Sequence, residues 1–90
     1  MINYTSYTIN NDTISLYDTM TTNEGELIIN GIFRFKNDMM IVFRYLNDVE
    51  PVIEKMNKFF EEKLTYFNTI KHYVPETNNN GECGCCGKTE

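Results

Sequence analysis

Before residue 83 the chain has no cysteine: Cys83, Cys85 and Cys86 are the only three in 90 residues. An odd number confined to one short stretch excludes the disulfide framework that staples small secreted folds, so a hydrophobic core has to hold the body together. No apolar run approaches the ~20 residues that a membrane-spanning helix needs. The opening MINYTSYTIN lacks both the basic and the apolar regions of a secretory leader, and a cytoplasmic protein with no membrane partner is expected. Basic residues are also scarce, eight Lys and Arg against thirteen Asp and Glu, for a net charge of −5. Nucleic-acid binders need a basic footprint to displace counterions, so no direct nucleic-acid partner is expected. The surplus acid suits solubility, or a protein partner with a basic surface.

Catalytic signatures are missing as well. There is no Gly-rich phosphate loop, no H-E-x-x-H, and no serine or cysteine with a histidine partner at a recognisable spacing. Glu61 and Glu62 are adjacent, and neighbours on a helix point about 100° apart, which disqualifies them as an acid and base pair. A non-enzymatic protein is expected.

What is present is enough apolar material for one domain: 41% hydrophobic residues, with six Tyr and six Phe. INYTSYTI and TISLY, separated by Asn10-Asn11-Asp12, read as a first hairpin of Ile2 to Ile9 and Thr13 to Tyr17. DTMTTNEG reads as a surface loop. ELIINGIFRF and MMIVFRYL, joined at Lys36-Asn37-Asp38, read as a second hairpin. With Phe35 opposite Met39, one face carries Leu27, Ile29, Phe33, Phe35, Met39, Ile41, Phe43 and Tyr45 and demands a cover.

A helix supplies that cover. Pro51 suits a first helical turn, Pro75 suits an end, and apolar residues at helical spacing between them predict one long amphipathic helix from about Glu50 to Tyr73. Beyond it, ETNNNGECGCCGKTE has the composition of a flexible tail. The expected fold is α+β: a four-stranded antiparallel sheet of two β-hairpins, covered on one face by a long C-terminal helix. That domain spans residues 1–75, with a disordered tail at residues 76–90.

Two candidate sites follow. On the second face of the central hairpin, Ile28, Ile32, Arg34, Met40 and Arg44 combine apolar side chains with arginines, the make-up favoured at protein interfaces. Lys63, placed in the apolar helix stripe, joins them as a residue that either snorkels past its neighbours or meets a partner's carboxylate. The helix exceeds what a small sheet needs, which leaves an overhang to pack on a second copy in a homodimer.

The second candidate is the cysteine cluster. Thiolates are soft anionic ligands for zinc or an iron–sulfur cluster, and the intervening glycine lets two sulfurs face one ion. Cys83, Cys85 and Cys86 are three ligands where zinc takes four, with His72 the one imidazole in the chain. Glu82-Cys83-Gly84-Cys85 resembles the Cys-Gly-Cys-Gly tail of A-type iron–sulfur carrier proteins over about five residues, too short a stretch to carry that family's function over to this chain. The family's upstream cysteine has no counterpart here, and Cys86 stands where the family has glycine.

The function expected from these features is a small acidic protein-binding module that needs no cofactor. An inhibitor of a host protein, encoded by a virus or mobile element, would have this make-up. The alternative is a metal or iron–sulfur accessory protein that uses the cysteine cluster.

Overall fold

The structure, a computed structural model, describes residues 1–74, so the expected tail lies outside it. Its centre is a hairpin of two long strands. Numbered in chain order, the strands are β1 (Ile2–Tyr4), β2 (Ser6–Ile9), β3 (Asp12–Ser15), β4 (Thr19–Thr22), β5 (Gly25–Phe35), β6 (Asp38–Tyr45) and β7 (Val52–Lys55). One helix, α1 (Met56–Lys63), follows β7 directly and runs into a 3-10 segment, Leu64–Thr69.

The protein is α+β with antiparallel sheets, and the main sheet has five strands rather than four. Its order is β1-β5-β6-β7, with β4 also on β5. β1 pairs with the far end of β5 through Tyr4 opposite Ile32, and β4 with the near end through Met20 opposite Leu27. β2 and β3 form a separate two-stranded hairpin around Asn10-Asn11, where Asn10 takes a positive φ of 55°. The expected first strand thus splits at Thr5, one half in each sheet.

The expected long helix is short because its first turn is a strand. Val52 and Ile53 satisfy either period over so brief a stretch, and pairing with β6 (Phe43 opposite Val52, Val42 opposite Ile53) decides for β. Pro51 therefore precedes an edge strand, a position where its missing N–H removes no ladder bond. The helix gives way after Lys63 to Thr65, Tyr66, Phe67 and Thr69, β-branched or aromatic residues that lose rotamer freedom in a helix. DTMTTNEG is also more than a loop, since it contains β4.

One face of the main sheet is covered by the β2–β3 hairpin and by α1. Met56, Phe59 and Phe60, at i, i+3 and i+4, are buried with Leu27, Ile29, Ile32, Ile41 and Phe43, while Ile14 arrives from the hairpin and Met20 from β4. Phe59 lies 5.2 Å from Phe43 between ring centroids, and Tyr7 meets Phe60 edge-on at 6.3 Å. Burial at ~25 cal/mol per Å² of apolar surface makes these large rings the main single contributors to the core.

Candidate functional site

Two local features of the central hairpin decide which residues reach the opposite, outer face. The turn is two residues long, Lys36-Asn37, with Lys36 at φ 58°, so Phe35 pairs with Asp38 rather than Met39. The pairing then slips at Asn30, from Gly31 opposite Val42 to Ile29 opposite Phe43. This is a β-bulge, one extra residue on β5 that reverses which side its later residues face. Between bulge and turn, Ile32 joins the core, and Phe33 and Phe35 turn outward.

The outer face is consequently built in rows. Ile28 lies opposite Arg44, Gly31 opposite Val42 and then Ile53, and Phe33 opposite Met40 and then Lys55, with Phe35 opposite Asp38 at the turn. Ile28, Phe33, Met40 and Val42 are half-buried but belong to no part of the core cluster. Ile53 and Phe35 are 59% and 53% exposed. The charged groups of the face include Arg44, whose Nη1 donates to the Asp48 carbonyl at 3.0 Å, and a long, exposed Lys55–Asp38 ion pair at 3.9 Å.

Of the residues singled out in the sequence, Ile28, Met40 and Arg44 come together on this face. Ile32 does not: it is 2% exposed and sits in the core, because the bulge puts it on the other side. Arg34, opposite Met39, also belongs to the inner side, where its Nη2 donates to the Tyr4 hydroxyl at 2.6 Å. Lys63 occupies the i+7 place of the helix stripe, half-buried, with Nζ 5.6 Å from the centre of the Phe43 ring. It packs on its own core, away from the outer face. Phe33, Phe35 and Ile53 are the members that simple periodicity places elsewhere. The signal for the first two is Asn30-Gly31, since a glycine inside a strand pattern marks a bulge.

Two polar features lie away from this face. Asp18 is 1% exposed, and its carboxylate accepts from the Ser15 N–H at 2.9 Å and the Tyr73 N–H at 2.8 Å, with His72 Nδ1 at 2.7 Å. Together with the Thr19–Lys71 bridge, this ties the chain after the 3-10 segment to the β3–β4 turn. His72 is therefore outside any helix, and one of its nitrogens is committed to Asp18. On the inner side, Glu54 keeps one buried oxygen without a hydrogen-bond partner among the described residues. Burial first, and then the neighbouring Glu62 carboxylate, raise the pKa of Glu54 above the usual carboxylate value, partly offset by Lys63 and Lys58.

Cys83, Cys85 and Cys86 lie outside the described residues, and among those described no three His, Cys, Asp or Glu side chains converge on a metal site. No described helix is long and apolar enough to cross a membrane. The fold and the face define an antiparallel α+β protein with one sheet surface packed and the other outside the core. No protein-family model matches the chain, and no curated protein or solved structure is significantly similar to it.

Proposed function

We propose that this chain is a small, non-enzymatic protein-binding module whose docking surface is the outer face of the five-stranded sheet. The observation that carries the reading is the set of apolar rows formed by Ile28, Phe33, Met40, Val42 and Ile53, which stand apart from the core on the opposite face. Contiguous apolar surface of this kind is costly in water and marks interaction sites on folded domains. A protein fits it better than nucleic acid does, because Arg44 and Lys55 are matched by Asp38 and Glu26 and the chain as a whole is acidic.

A photo-crosslinking residue at Phe35, on the exposed rim, tests this. The expected result is a discrete protein adduct that disappears when Val42→Asp is introduced into a chain still folded by circular dichroism. An adduct indifferent to Val42→Asp sinks the chosen face.

A further inference from the structure

The outer face has a polarity along its strands. On β6, Asp38 stands at one end and Arg44 at the other, with Met40 and Val42 between them on the same side. The ends are separated by about 20 Å at ~3.4 Å per residue. The sixteen residues from Pro75 onward, PETNNNGECGCCGKTE, contain no Leu, Ile, Val, Met or aromatic side chain with which to cover an apolar sheet. That stretch is a poor occupant for it.

Resting on the docking-face reading above, we infer that the occupant is a second copy of this chain, stacked outer face to outer face about a two-fold axis that lies in the sheet plane across the strands. Two in-plane axes bring the faces together with the strands of the two copies aligned. An axis along the strands sets Arg44 over Arg44 and Asp38 over Asp38. An axis across them reverses the strand direction, keeps β6 over β6, and sets each Arg44 over the other copy's Asp38. Charge selects the second arrangement. Its centre falls between Met40 and Val42, so the apolar rows meet in the middle and the charges close the ends, as an apolar core and polar rim do at stable interfaces.

Both charged residues can take a further partner. Asp38 holds a long pair with exposed Lys55, and the Asp48 carbonyl takes one of the five N–H donors of Arg44. The rest of the surface opposes other approaches. Glu24, Asp48 and Glu50 lie between strands, so contact through those loops would set acid against acid in a chain of net charge −5. Face-to-face sheets also match the aligned sandwich packing, about 10 Å apart, of natural β proteins.

Sedimentation equilibrium of the full chain from about 1 μM to about 1 mM tests the inference, with a dimer of twice 10.6 kDa expected. Arg44→Asp and Asp38→Arg are each expected to weaken the dimer about tenfold or more, because each variant opposes like charges at both ends. An equimolar mixture of the two variants is expected to restore it, since opposite charges then meet at both junctions, and that recovery also shows that both variants fold. A dimer that survives Arg44→Asp, or variants that fail to recover on mixing, overturns the arrangement. A wild-type chain that stays monomeric while its Phe35 crosslinker captures another protein overturns the second copy alone, and one that captures nothing overturns the docking face as well.

Discussion

Ile41 and Val42 are neighbours on one strand, yet their surroundings differ completely. Ile41 is fully buried in the cluster that α1 and the small hairpin complete, whereas Val42 stands in an apolar row outside it. Both rows are rich in aliphatic and aromatic side chains, so composition alone does not say which one is the core. The distinction comes from what the rest of the chain can reach. Helix α1 leaves the end of β7 on the inner side and brings Met56, Phe59 and Phe60 with it, while the outer rows stay outside the core cluster.

The contrast is broken most severely on the inner side. Phe59→Ala is expected to cost about 3–5 kcal/mol, enough to remove most of the stability of a domain this small, measured by urea unfolding. Ile41→Ala follows at about 2–5 kcal/mol, while Val42→Ala should cost less than about 1 kcal/mol in dilute monomer. Equal losses at Ile41 and Val42 would mean that the outer rows are already covered within the chain.

Asp18→Ala comes next, at about 2–4 kcal/mol, because it strands the Ser15 and Tyr73 N–H groups. Faster hydrogen exchange at the Tyr73 amide is its local signature. His72→Ala should cost under about 1 kcal/mol, since that side chain is 60% exposed.

The smallest effect has the opposite sign. Because the folded protein holds the Glu54 proton more tightly than the unfolded chain does, this group's stabilising contribution is fully present below the ordinary carboxylate pKa and is lost as pH rises through the raised folded value. At neutral pH an ionised, poorly solvated Glu54 beside Glu62 is a net cost. Solvent screening keeps that cost small, so Glu54→Gln should raise stability at pH 7 by about 0.5–1 kcal/mol, with the gain gone in the acid range. Denaturation at the two pH values checks it, and a gain independent of pH would assign the effect to something other than charge.

Much of this architecture is legible in the sequence where long patterns repeat. The central hairpin, the Asn10-Asn11 turn and the stripe Met56, Phe59, Phe60 all rest on several residues agreeing with one period. β4 and β7 are hidden for the opposite reason. TMTT carries a single strong apolar residue, and VIEK is too short to separate a strand from the start of a helix. Each becomes a strand through a residue on another strand, Leu27 for Met20 and Phe43 for Val52. The candidate face is half legible. Ile28, Met40, Val42 and Arg44 follow from simple alternation, but Ile32, Arg34 and Phe33 lie past the bulge, where alternation starts again out of phase.

Asn30 can be regarded as a frame marker for the sheet. Strand alternation is a two-letter code, inside and outside, and one additional residue shifts the reading of every position up to the next turn. Deleting Asn30 would remove the bulge and join Ile29, Gly31, Ile32 and Phe33 into one unbroken ladder opposite Phe43, Val42, Ile41 and Met40, with Ile32 still inward and Phe33 still outward. The bulge thus works as a spacer that takes up one surplus residue, and the outer surface depends on how β5 is counted against β6 as much as on which residues it holds.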